Sequence, residues 1–178
     1  NAADPQRGGF APGAVLTIYG SNLSTTTQSA DGGPLPQSLG DTQVWFDIDG
    51  VRTAGYLSFV SPTMINVQLP LDSMQSNVSF STPRTSIEAK VYVATTLGIS
   101  EGRSITIKPY SPAFFTSSGI QGNVPAMLHA SHTDPARVVP VSEISESERA
   151  HVGEVVMLFG TGMGLSTVTL PPRRSYSF

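Results

Sequence analysis

The chain reads as all-β: an immunoglobulin-like β-sandwich followed by the first part of a second, truncated sandwich repeat. Three observations predict it. Gly (17) and Pro (14) are plentiful while only 13% of the 178 residues are charged, a composition that suits short strands joined by many turns. Six or seven short runs of β-branched and aromatic residues are separated by turn signals, the pattern of a sandwich. A stretch near the beginning also recurs near the end, with a spacing of 140 residues.

The elements follow in order. Residues 1–13 are loop-like, and Ala14 to Tyr19 form a first strand closed by Gly20. Ser24 to Gly40 is a long polar loop. Thr42 to Ile48 alternates, with Val44, Phe46 and Ile48 facing inwards and Gln43, Trp45 and Asp47 outwards. Asp49-Gly50 then joins this strand to a β run from Val51 to Val60, a hairpin signal because a type I′ turn needs positive φ at both central residues. Met64 to Pro70 alternates again, with Ile65, Val67 and Leu69 inward and Asn66 and Gln68 outward. Ser76 to Phe80 is a candidate edge strand, and Ile87 to Thr96 and Arg103 to Lys108 complete the unit. Ser142 to Arg149 lacks an apolar stripe and reads as loop or a short helix.

The domain expectation is therefore a sandwich over 1–110, a connecting loop region over 111–150, and the opening strand of a second repeat over 151–178. The repeat aligns Pro12-Gly13-Ala14-Val15-Leu16-Thr17-Ile18-Tyr19-Gly20-Ser21-Asn22-Leu23 with Val152-Gly153-Glu154-Val155-Val156-Met157-Leu158-Phe159-Gly160-Thr161-Gly162-Met163. A strand from Glu154 to Phe159 without companions has unpaired backbone groups, so it is expected to pair with the first domain or with another chain. Residues 153–160 are thus a candidate surface for a homo-oligomer.

Composition excludes several functions. A net charge of −3 and ten scattered Lys and Arg offer no surface for nucleic acid, and no apolar run reaches the roughly 20 residues of a membrane span. The lack of cysteine removes thiolate nucleophiles and zinc-thiolate sites. Scarce Lys and Glu with abundant Ser, Thr and Asn point to a secreted, extracellular protein.

With these residues in view, the chain resembles the uncharacterised C-terminal domain family (Solibacter type) of large secreted bacterial proteins, related to IPT/TIG immunoglobulin-like domains. The resemblance rests on Ala11-Pro12-Gly13 leading to Ile18-Tyr19-Gly20-Ser21-Asn22-Leu23, on Leu35-Pro36-Gln37-Ser38-Leu39-Gly40, and on Asp49-Gly50-Val51. Its most distinctive run is Val60-Ser61-Pro62-Thr63-Met64-Ile65-Asn66-Val67-Gln68-Leu69-Pro70. Ser111-Pro112-Ala113-Phe114-Phe115-Thr116, Gln121-Gly122 and Phe159-Gly160-Thr161-Gly162-Met163-Gly164 continue it, and the last fourteen residues depart from it. The resemblance implies a sandwich fold and a secreted or cell-surface location, with no established activity.

Candidate chemistry lies in three places. Trp45, with Gln43 and Asp47 on the outward face, suits stacking against a sugar ring of a polysaccharide, or contact with a surface protein. The reading that follows is a non-catalytic adhesion, carbohydrate-contact or spacer module without a cofactor. His129-Ala130-Ser131-His132-Thr133-Asp134 carries the alternative. His129, His132 and Asp134, with His151 as a fourth ligand, would suit zinc. Ser131, His132 and Asp134 would form the core of a small hydrolase. Asp47 and Asp49, with Asp41 or Asp72, offer oxygen ligands for calcium, although the Asp-Gly turn already accounts for Asp49.

Overall fold

A computed structural model describes residues 3, 8–74, 85–119, 122–133, 138–141 and 149–164. Among the described residues nine strands build its first part: β1 (Val15–Tyr19), β2 (Gln28–Ser29), β3 (Gln43–Ile48), β4 (Val51–Ala54), β5 (Tyr56–Val60), β6 (Met64–Gln68), β7 (Ile87–Thr95), β8 (Gly98–Ile99) and β9 (Arg103–Ile107). They form two antiparallel sheets. One runs β1-β6-β5-β2; the other runs β4-β3-β7, with β8 and β9 both on the far side of β7. Among the described residues no helix is long and apolar enough to cross a membrane.

The alternation read from the sequence decides which faces meet. Val44, Phe46 and Ile48 from β3, Ile87, Ala89, Val91 and Val93 from β7, and Leu16, Leu57, Val60, Ile65 and Val67 from the opposing sheet form one buried cluster with Ile107. Each large apolar side chain removed from water contributes about 1.5–3 kcal/mol, so this shared core holds the two sheets together. Asp49 and Gly50 have φ of 51° and 80°, and Ile48 pairs with Val51 across them. The expected type I′ hairpin is therefore present.

Two expectations need correction. The run from Val51 to Val60 is not one strand. It breaks at Gly55, where the chain leaves one sheet for the other: β4 pairs with β3, and β5 with β6. Gly55 donates its N–H to the Val44 carbonyl at 2.8 Å and passes too close to Val67 and Phe46 for any side chain. Gln68, read as outward, is buried, because the entry loop covers it and its amide Nε2 donates to the Gly13 carbonyl at 3.2 Å. The candidate strand at 76–80 lies outside the described residues.

The second part also consists of strands. Residues 111–150, read as connecting loop, contain β10 (Ala113–Phe114), β11 (Thr116–Gly119), β12 (Gly122–Pro125), β13 (Met127–Ala130) and β14 (Val138–Pro140). β15 (Val156–Leu158) and β16 (Gly160–Thr161) follow. β10 pairs with β16, β11 with β12, and β13 with both β14 and β15. The lone late strand thus finds its partner in β13 of its own chain, within the stretch read as connector. Among the described residues β15 is an edge of its sheet, with Val155, Met157 and Leu158 exposed.

The two copies of the repeat share backbone detail. Ala14 donates its N–H to the Ala11 carbonyl, with Gly13 at φ 75°, and Glu154 donates to the His151 carbonyl, with Gly153 at φ 89°. Both are turns that demand positive φ at their third residue, which glycine supplies. After the strand, Asn22 and Gly162 again match in positive φ, at 56° and 78°. Gly20 and Gly160 each sit under the large apolar residue three positions later, Leu23 and Met163. The copies touch where the Val15 N–H donates to Thr161 Oγ1 at 2.9 Å.

Candidate functional site

The outer face of the β3–β7 sheet follows from strand register. Residues directly opposite in an antiparallel pair share a face. Trp45 lies opposite Tyr92 on β7 and Ala54 on β4, while Asp47 lies opposite Lys90 and Arg52. Trp45 is half-buried rather than fully exposed, as are Gln43 and Asp47. The Arg52 guanidinium stands 5.2 Å from the centre of the Tyr92 ring, and its Nε is 3.7 Å from Asp47 Oδ2. Gly102 lets the Tyr92 ring lie against the backbone, since a Cβ there would meet the ring at 2.7 Å. Beside these residues runs an open groove of about 290 Å³, lined by Asp47, Asp49, Glu88, Ala89, Lys90, Tyr92 and Ser104. Hydroxyl, carboxylate and ammonium groups along a flat aromatic face can exchange hydrogen bonds with a polyhydroxylated ligand. Of the sequence candidates, Trp45 and Asp47 are brought together here with Tyr92, Arg52 and Lys90, which strand register alone assembles.

The carboxylates considered for calcium form no group of three within ligand distance among the described residues, although Asp47 and Asp49 line one groove. Asp49 occupies the hairpin turn, and Asp47 faces Arg52. Asp41 pins the long loop: its Oδ1 accepts from the Ser24 hydroxyl at 2.9 Å and the Thr25 N–H at 3.2 Å, and its Oδ2 from Thr96 at 3.3 Å. Partial desolvation works to raise the Asp41 pKa, yet the Ser24 and Thr25 hydrogen bonds outweigh it and hold it at about 2.

The histidines do converge, around a residue the sequence reading missed. β13 places His129 inward, where its register partners Val139 and Val156 flank it and its side chain is fully buried. The turn at 151–154 then delivers Glu154. Glu154 Oε1 lies 2.7 Å from His129 Nδ1 and 3.0 Å from His132 Nε2, and Oε2 accepts the His151 N–H at 2.7 Å. The hydrogen bond from His129 is the largest influence, followed by the His151 N–H, and together with His132 they hold the Glu154 pKa at about 2. The His132 and His151 rings stack with centres 4.3 Å apart and 6° between planes. His151, read as a ligand, presents its ring face to His132 and is not among the three residues whose ligand atoms are grouped.

Asp134 lies outside the described residues; among the described ones Glu154 brings a carboxylate to the histidines. Ser131, the hydrolase nucleophile candidate, is buried; its hydroxyl lies 3.0 Å from Thr133 Oγ1 and accepts the Thr133 N–H at 3.3 Å. His129 Nδ1 and His132 Nε2 are turned to Glu154. One signal for Glu154 was present in the sequence. The matching position in the first copy of the repeat is Ala14, which is fully buried, so an acidic residue there departs from the pattern. No protein-family model, characterised protein or solved structure matches the chain.

Proposed function

We propose that this chain is a non-catalytic, secreted or cell-surface binding module of the immunoglobulin-like, IPT/TIG-related kind, contacting polysaccharide through the outer face of its β3–β7 sheet. The supporting observation is the in-register pair of Trp45 and Tyr92, set among Asp47, Arg52 and Lys90 beside an open groove. Sugar rings present apolar C–H faces that pack on indole, while their hydroxyls take hydrogen bonds from flanking polar groups. A rigid sheet holds these groups in place before the ligand arrives, which lowers the ordering cost of binding.

Binding is tested by calorimetric titration with polysaccharides chosen from a glycan array, a readout that does not depend on Trp45, the only tryptophan in the chain. A stacking residue at the centre of a contact is worth about 2 kcal/mol, so Trp45→Ala is expected to weaken binding about thirtyfold. Tyr92→Ala should weaken it less, because Tyr92 already engages Arg52. Failure of every glycan to bind, or equal affinity for wild type and Trp45→Ala, overturns the reading.

A further inference from the structure

We propose that His129, His132 and Glu154 form a binding site for one divalent transition-metal ion of the zinc class, which ties the 151–154 turn to β13. The three ligating atoms all lie within 4.8 Å of one another, a grouping that no other set of His, Cys, Asp or Glu reaches among the described residues. They come from two pieces of chain: His129 from the end of β13 and His132 from the loop just after it, and Glu154 from the end of a turn more than twenty residues later.

The geometry is close to what an ion needs. Ligands held about 2.0–2.2 Å from a tetrahedral ion stand roughly 3.3 Å apart. The present separations from Glu154 Oε1 are 2.7 and 3.0 Å, within a group that spans no more than 4.8 Å, so entry requires Glu154 to draw back by roughly half an ångström while the two imidazoles close on the ion. His129 is fixed by burial, whereas the side chains of His132 and Glu154 keep 24% and 17% exposure and have room to adjust. Each imidazole turns a lone pair to the ion by carrying its proton on the other ring nitrogen. Two imidazoles with one carboxylate suit zinc, cobalt or nickel and discriminate against calcium, which prefers oxygen ligands. Three protein ligands leave a coordination position for water.

Part of the second sphere, on the Glu154 and His132 side, is already in place. Glu154 Oε2 is held by the His151 N–H at 2.7 Å, which fixes the direction of Oε1, and the His151 ring packs flat on His132. His151 is thus a positioning residue. The site shares no residue and no sheet with Trp45, and the ion is not needed for the sheet face to bind, so the two readings fail separately.

The test is titration of the intact chain with zinc chloride by calorimetry, with calcium chloride as control and cobalt as a spectroscopic substitute. One zinc ion per chain is expected, together with the intense visible bands of low-coordinate cobalt. Glu154→Gln and His132→Gln should each lose about tenfold or more in zinc affinity, while His151→Phe, which keeps the stack, should bind nearly as wild type. Ring-proton NMR of the wild-type chain supplies a readout that no variant's folding can obscure: the His129 and His132 resonances should shift on adding zinc. Unmoved resonances of these two rings, or Glu154→Gln binding zinc as tightly as wild type, overturn the proposal.

Discussion

Gly55 is the position where one methyl group should cost most. Its φ lies outside the left-handed region, so Gly55→Ala introduces no backbone strain and its effect is purely steric. The added Cβ would lie 2.5 Å from Val67 Cγ2 and 2.8 Å from Phe46 Cε2, with the Gln68 carbonyl oxygen at 3.3 Å. Carbon atoms pack best at about 3.5–4.0 Å, so the overlap is roughly 1 Å against each side chain. Both side chains are fully buried in the shared core. Overpacking of this kind costs about 1–3 kcal/mol, and the upper part of that range is expected because neither neighbour has solvent to move into. Val67→Ala by itself removes two methyl groups, about 1.6 kcal/mol in transfer plus about 1 kcal/mol for the space left behind. The Gly55→Ala, Val67→Ala double variant moves a methyl from one side of the same small volume to the other, so the two losses should not add. It is expected to be about 1–3 kcal/mol more stable than their sum. Urea unfolding followed through Trp45 fluorescence measures all three variants. A Gly55→Ala protein within about 0.5 kcal/mol of wild type, or strictly additive losses, would refute the account of Gly55 as the crossing point between sheets.

Two further perturbations probe the scaffold. Gly50→Ala places a side chain at φ 80° with open space around it, so strain alone should destabilise the β3–β4 hairpin by about 1–2 kcal/mol, read from the urea midpoint; an unchanged midpoint would rule out the type I′ turn. Asp41 is held at about 2 when folded, below its ordinary 3.8, so its contribution to stability is present above pH 3.8 and is lost as the pH falls through 2. Thermal unfolding of Asp41→Asn between those limits should show a shallower loss than wild type, and parallel curves would remove Asp41 as the anchor of the long loop.

Much of the sandwich was legible because a strand's period of two writes burial directly into the residue order. Val44, Phe46 and Ile48, and likewise Ile65, Val67 and Leu69, are buried as their alternation requires. Asp49-Gly50 specified its turn locally, through the rare backbone angles that those two residues tolerate. Reading failed where a residue's role depends on something far along the chain. Gly55 interrupts no pattern of alternation, and only the switch of pairing partners gives it meaning. Gln68 is polar and in phase with the outward positions, yet Gly13, fifty-five residues earlier, covers it. At the histidine cluster, the His-x-x-His spacing singled out His129 and His132, but the carboxylate was sought next to them in Asp134. Asp134 lies outside the described residues, and no local pattern announced Glu154, which the turn before β15 brings to the two rings.

The sequence alone determined that this chain would be built of strands, which face of β3 and of β6 would be inward, where its tightest hairpin would turn, and that its two ends would share a local conformation. These properties follow from interactions within a few residues: steric limits on φ, alternation along a strand, and the conformational freedom of glycine. Tertiary structure alone decided that β15 would pair with β13, that Trp45 would stand opposite Tyr92, and that Glu154 would meet two histidines. Each of these depends on the register between segments far apart in the chain. Such register is set by how whole faces bury against one another, which no single stretch of residues encodes.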